Sequence, residues 1–256
     1  MVSEPDVLPS TGRGSIRTVA PGVHHIDTYP FNWYVLEEAG RLTLIDSGWP
    51  GHLAALESGL RALGKTVNDI DAILLTHAHS DHVGMAGALS RAHRIPVFVH
   101  PADRAMAASV LQLPWVGLLS NAWRPFTASS MLGHALARGL LAERAITTTY
   151  DLVDERVVDV PGHPRVVHVP GHTPGEVAFV VGDGVVLSGD TLVTEDLRTG
   201  VAGPPQFPHI AYNGRDAQAR RSISKLHDLG SVTLLPGHGL PWSGPIDEAI
   251  ELALAH

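Results

Sequence analysis

Short apolar runs that stop at turns rich in Gly, Asp and Pro alternate along this chain with stripes of apolar residues at helical spacing. Residues 22–48, GVHHIDTYPFNWYVLEEAGRLTLIDSG, read as strands joined by a Glu-Ala-Gly turn and ending at Asp46-Ser47-Gly48. Leu53, Leu56, Leu60 and Leu63 then fall on one stripe, which predicts a helix stopped at Gly64. AILLT (72–76) reads as a buried strand. A helix through Met85–Arg94 and a strand PVFVH (96–100) complete a strand–loop–helix–strand unit. From Pro101 to about Ala145 the pattern changes to Ala- and Leu-rich sequence of helical propensity, carrying Trp115, Trp123, Phe126 and Met131. Short strands resume with RVVDV, RVVHVP and VAFVVGDGVVLSGD, the last folding over a Gly182-Asp183-Gly184 turn. A helix over 216–229 keeps Ala219, Ile223, Leu226 and Leu229 in register up to Gly230. A strand VTLLPGHG follows, then an amphipathic helix after Pro245, striped by Ile246, Ala249, Ile250, Ala253 and Leu254. Strands and helices alternate, so the class is α/β. One domain spans 22–256 with a helical insertion at about 101–145, and residues 1–21 are expected to be a flexible extension.

Composition narrows the function classes. The chain has 256 residues, 44% hydrophobic and 17% charged, enough to bury a sizeable core. A net charge of −8 with scattered basic residues gives no footprint for nucleic acid. Cysteine is absent, which removes disulfides, thiolate nucleophiles and Cys-based metal sites. The first residues lack the apolar run of a signal peptide, and no stretch is long enough to span a bilayer. A cytoplasmic location away from membranes is therefore expected.

The candidate chemistry sits where AILLT ends. In THAHSDH, three histidines and an aspartate occupy positions 77–82. In extended backbone, side chains two apart project the same way, so His77 and His79 can grip one ion while Asp81 and His82 turn toward a neighbouring point. Neutral imidazole suits zinc and similar divalent metals, and a carboxylate compensates their charge. Three later turns end apolar runs in the same style. VVHVPGHTPGE offers His172, GVVLSGDT offers Asp190 and TLLPGHG offers His238. Each alone reads equally well as an ordinary turn residue. Together with the cluster they make a set of seven.

THAHSDH resembles the signature of the metallo-β-lactamase superfamily, and His172, Asp190 and His238 match its remaining metal positions in order. LIDSG resembles the family's first motif, in which Asp46 supports a ligand rather than being one. The similarity covers roughly residues 22–240. It implies an αββα sandwich with the site along one edge between two sheets. It also implies that His77, His79 and His172 hold one ion, that Asp81, His82 and His238 hold another, and that Asp190 bridges. Two divalent ions, zinc first with iron or manganese also accommodated, lower the pKa of a shared water and polarise a carbonyl. The expected reaction is hydrolysis of a carbonyl ester, thioester or lactone by the bridging hydroxide, with Asp81 as a proton carrier.

Departures from particular family members narrow the substrate. The commonest zinc β-lactamases have a cysteine ligand and no bridging Asp. Glyoxalase II shares the bridging Asp, but its glutathione-binding basic residues follow the last metal histidine, and here no Lys or Arg follows His238. Acyl-homoserine lactonases share all seven ligands but carry a tyrosine three residues after the bridging Asp, where this chain has Val193. Tyr212 or His209 can reach the site from the loop before the 216–229 helix, although Tyr212 reads first as a packing residue. Trp115, Trp123 and Phe126 of the insertion are pocket candidates for a small acyl or lactone substrate, and read equally well as core or as a homodimer contact. The alternatives are a glyoxalase II-like thioesterase or β-lactamase-like hydrolase and, in another class, a diiron oxidoreductase or a non-catalytic metal-bound binding protein.

Overall fold

The computed structural model describes residues 15–109, 145–197, 199–209 and 212–255. Two sheets stack face to face with helices on their outer faces. The first sheet holds β1 (Ser15–Ala20), β2 (Val23–Thr28), β3 (Phe31–Glu38), β4 (Arg41–Ile45), β5 (Ile70–Leu74), β6 (Val97–Val99) and β7 (Tyr150–Asp151), side by side in chain order. β1 to β4 form an antiparallel meander, and β4 to β7 run parallel. The parallel steps need crossovers. α1 (Leu53–Ala62) supplies the first, and α2 (Ser80–Val83) with α3 (Ala86–His93) the second. A turn Pro101–Asp103 and α4 (Arg104–Ala107) follow β6.

The second sheet begins with β8 (Arg165–His168), β9 (Val177–Val181) and β10 (Val185–Gly189). A separate hairpin, β11 (Val193–Asp196) with β12 (Val201–Gln206), and α5 (Asp216–Ser222) intervene. β13 (Ser231–Pro236) then pairs parallel with β10, β14 (Trp242–Pro245) covers its other edge, and α6 (Ile246–Ala255) follows.

Strand periodicity sorts side chains into three apolar layers. Trp33 and Val35 of β3, Leu42 and Leu44 of β4, and Ile73 of β5 face outward onto Leu56 and Leu60 of α1 and Leu89 of α3. Their neighbours Tyr34, Leu36, Ile45, Ala72 and Leu74 face inward and meet Val166, Val177, Phe179, Leu187 and Leu235 of the second sheet. Ala178, Val186 and Leu234 point to the far side, under Ala219 of α5 and Ile246, Ala249, Ile250 and Ala253 of α6. This is the αββα sandwich. No helix among the described residues is long and apolar enough to cross a membrane.

Several expectations need correction. The extension read over 1–21 ends in a strand, because β1 pairs with β2 and Ile16 packs under Gly59 of α1. RVVDV makes only one bridge, Val157 to Arg165, because the chain reverses at Glu155 (φ 61°) and again at Gly162 (φ 87°) and His163 (φ 42°). The helix read over 216–229 stops at Ser222 and tightens into a 3-10 turn, Ile223–Leu226. Apolar residues three apart satisfy that tighter winding as well as an α-helix, and Asp228 (φ 66°) and Gly230 (φ 72°) then turn the chain into β13. Helix begins the 101–145 insertion through α4; Trp115, Trp123, Phe126 and Met131 lie outside the described residues.

Candidate metal centre

All the candidate ligands sit just beyond strand ends on one edge of the sandwich. β5 delivers the 77–82 loop, with Asp81 and His82 in the first turn of α2. The turn between β8 and β9 delivers His172, the end of β10 delivers Asp190, and the end of β13 delivers His238. Backbone bonds lace the edge together: Val177 N–H donates to Thr76 O (2.8 Å) and Gly237 N–H to Gly189 O (2.8 Å). Gly189 has φ 52°, and a Cβ there would fall 2.6 Å from both Glu176 Oε1 and Thr76 Cβ. Only glycine lets β10 turn into the cluster.

Seven side chains converge. Within each of three groups, His77–His79–His172, His77–His82–Asp190 and Asp81–His82–His238, one ligand atom per residue lies within 4.8 Å of the others. His172 Nε2 is 2.9 Å from His79 Nδ1. Asp190 reaches across the groups: Oδ2 lies 3.5 Å from His172 Nε2 and 3.2 Å from His238 Nε2, and Oδ1 lies 3.7 Å from His82 Nε2. Asp81 Oδ2 lies 3.5 Å from His238 Nε2 and 3.7 Å from His82 Nε2. Five of the seven are buried, and His79 and Asp81 are half-buried at the mouth.

Four of the five histidines have partners on their outward nitrogens. His82 Nδ1 donates to Asp46 Oδ2 (2.8 Å), His238 Nδ1 to Pro30 O (2.9 Å) and His172 Nδ1 to Asn213 Oδ1 (3.3 Å). His77 Nδ1 lies 3.1 Å from Thr76 Oγ1 and 3.3 Å from Glu176 Oε2. Asp46 also accepts from Thr76 N–H and Thr76 Oγ1, both at 2.8 Å. In these four imidazoles Nδ1 is thereby turned outward, and Nε2 faces the cluster. At the centre, Nε2 of His77, His82 and His238 and Asp190 Oδ1 are buried without a hydrogen-bond partner. One such orphan costs about 1–3 kcal/mol, so four in one place are the mark of a site built for a cation.

Charge follows position. Burial first, then the neighbouring imidazoles, pushes His77 well below its ordinary pKa, and burial and His79 push His172 down to about 3. These are neutral imidazoles, the form that binds a metal. Burial also opposes the charged form of His82, but Asp46, Asp81 and Asp190 together outweigh it and hold the group up at about 10. Asp190 is buried too, yet His238 and His82 keep its carboxyl far below the usual range.

The model of the metallo-beta-lactamase superfamily matches residues 27–238, from β2 to the last histidine of the cluster. The chain belongs to the metallo-β-lactamase superfamily. Similar members include the probable metallo-hydrolase YflN of Bacillus subtilis, 26% identical over 93% of this chain and 91% of the relative. An uncharacterised protein of Mycobacterium tuberculosis is 32% identical over 81% of this chain and 85% of its own length. Among solved structures, a metallo-beta-lactamase family protein of Thermus thermophilus superposes with a TM-score of 0.66 at 27% identity, covering 93% of this chain and 80% of that one.

The other predicted residues that the structure describes are Asp46, His209 and Tyr212. Asp46 supports His82 and is not in any of the three groups. His209 and Tyr212 are half-buried in the loop before α5, where His209 O accepts from Tyr212 N–H (2.7 Å) and Asn213 N–H (3.2 Å). That turn brings Asn213 to His172. Sequence reasoning missed Asn213, Glu176, Asp103 and Pro30. Only Glu176 had a signal, as the last residue of GHTPGE. It missed an aromatic wall as well. Phe31 packs edge-on against His238 (centroids 5.3 Å apart) and against Trp49 (4.6 Å).

Proposed function

We propose that this metal-dependent hydrolase works with two divalent ions, zinc first, and cleaves a carbonyl ester, thioester or lactone with a substantial apolar part. The enzyme class follows from the family and from histidines and aspartates positioned for metal binding. One observation carries the binuclear reading: the two oxygens of Asp190 face His172 in one group and His82 and His238 in the other. His77, His79 and His172 would hold one ion and Asp81, His82 and His238 the other, with Asp190 between. When bound, such ions acidify water and polarise a carbonyl oxygen.

The chain's own residues do the rest. Asp46, Asn213 and Pro30 O keep the imidazole lone pairs aimed inward. Asp81, at the mouth, takes a proton at a carboxylate oxygen from the attacking water and returns it to the leaving group. Phe31 and Trp49 give the acyl portion an apolar footing beside His238. Each methylene buried there adds about 0.8 kcal/mol. The test is a panel of lactones, thioesters, aryl esters, β-lactams and phosphodiesters, assayed on protein loaded in turn with zinc, manganese and iron. Carbonyl substrates of increasing chain length should bind with increasing strength. Cleavage of phosphodiesters alone would overturn the substrate class, and an iron–oxo absorption band in the active form would point to redox chemistry instead.

A further inference from the structure

Asp103 closes the short turn after β6 and is fully buried. Its carboxylate receives three hydrogen bonds. Oδ2 accepts from Ala78 N–H (3.2 Å) and Thr173 Oγ1 (2.7 Å), and Oδ1 accepts from Gly175 N–H (2.7 Å). Ala78 stands between His77 and His79, and Thr173 follows His172. One side chain is therefore fastened to the two loops that carry the three-histidine group, one loop from each sheet. The packing is shaped for it, since a Cβ on Gly175 would fall 2.6 Å from Asp103 Cγ. None of the three donors comes from the Asp81–His82 turn, the Asp190 turn or the His238 turn. His82, in the other half, donates its hydrogen bond to a different buried carboxylate, Asp46.

We propose that Asp103 is the positioning residue of the three-histidine half of the site, fixing the register of the His77, His79 and His172 loops so that this half alone depends on it. The proposal rests on the binuclear reading above. Geometry and charge both support it. Three ligands on two independent loops converge only if the loops are held to each other, and Asp103 joins them within one residue of each ligand. Its donors are uncharged, so burying the carboxylate is costly, and a cation among the neighbouring histidines offsets that cost.

Zinc titrations of metal-free protein against a competing chelator test this, reading the affinity of each ion. Asp103→Asn should weaken one ion ten- to hundredfold, the range for a group that orients metal ligands, and leave the other within about threefold. The effect should vanish in a His79→Ala background, where that half is already broken, and persist in a His238→Ala background. Heat unfolding of the metal-free forms reads the fold. If Asp103→Asn does not fold, Thr173→Val, which removes one donor, carries the same comparison. Equal weakening of both ions, an effect that survives His79→Ala, or unchanged affinities would each overturn the proposal. A wild-type protein that binds a single ion would overturn the binuclear reading by itself. Asp103 would then stand only if Asp103→Asn weakens that ion and His79→Ala abolishes the difference.

Discussion

A buried polar atom must find a partner or carry a cost, and at the centre of this site four atoms find none. Asp190 matters most because its charge faces both groups of imidazoles. Asp190→Asn keeps the shape and removes the charge. Metal affinity should fall by about a hundredfold or more and turnover by orders of magnitude, with unfolding still cooperative; unchanged metal content and turnover would reduce Asp190 to a turn residue. Glu176 acts differently. Burial, reinforced by Asp190, raises its carboxyl well above the usual range, and Oε1 accepts from Asp190 N–H at 2.9 Å. Glu176→Gln retains an acceptor and should change unfolding free energy by less than about 1 kcal/mol, whereas Glu176→Ala orphans that N–H and opens a cavity, costing about 2–4 kcal/mol. Denaturant midpoints separate the two, and equal losses would show that the hydrogen bond is irrelevant. The seven converging residues were legible in the sequence because four cluster in THAHSDH where one apolar run ends, and His172, Asp190 and His238 each end another at a glycine-bracketed turn. Asp103, Asn213 and Pro30 were not, because nothing local distinguishes a carboxylate or carbonyl that meets its donor only after distant loops close.

Elements with strong periodicity were legible for the same reason that they are stable: both faces of β3, β4 and β5 meet apolar layers, and α1, α3 and α6 each bury one stripe. Short pieces escaped. β1 is half-exposed and β7 has two residues, so their apolar pattern is weak and pairing with a neighbour decides them. The joint between the segment before β8 and the turn after α5 is a polar case. Asp154 accepts from His168 N–H at 2.7 Å and from Lys225 Nζ at 2.8 Å. Burial opposes its charge, but these two donors together hold its pKa below the ordinary carboxylate value. A depressed folded pKa stabilises the fold above the unfolded value, near 4, and the gain disappears as pH falls through the folded one. Asp154→Asn should therefore lower the denaturation midpoint at pH 7, and that deficit should shrink as the solution is acidified through the carboxylate range. Lys225 is well exposed, so the backbone bond should carry most of the effect. A deficit that grows on acidification would sink this assignment.

At the scale of the whole molecule, the ligands divide between the two sheets. His77, His79, Asp81 and His82 follow β5 of the first, and His172, Asp190 and His238 hang from the second. The inner apolar layer, centred on Phe179, Leu36, Leu74 and Leu187, already holds the sheets together. A bound metal would add a second fastening at the edge, where Asn32 Nδ2 and Tyr34 Oη of β3 also donate to Pro236 O, at 3.0 and 2.8 Å. Ions that bind only the folded chain stabilise it by mass action, about 2.7 kcal/mol for one site at a hundredfold excess over its dissociation constant. For a domain of this size that corresponds to roughly 5–10 °C in the unfolding midpoint. Stripping the metal with a chelator should lower Tm by about that amount, and restoring zinc should recover it. The two fastenings can be told apart. Phe179→Ala should cost about 3–5 kcal/mol with or without metal, leaving the increment from zinc in place. Asp190→Asn should shrink that increment instead. If saturating zinc leaves Tm unchanged in the wild-type protein, the cluster does not clamp the sheets through a bound ion.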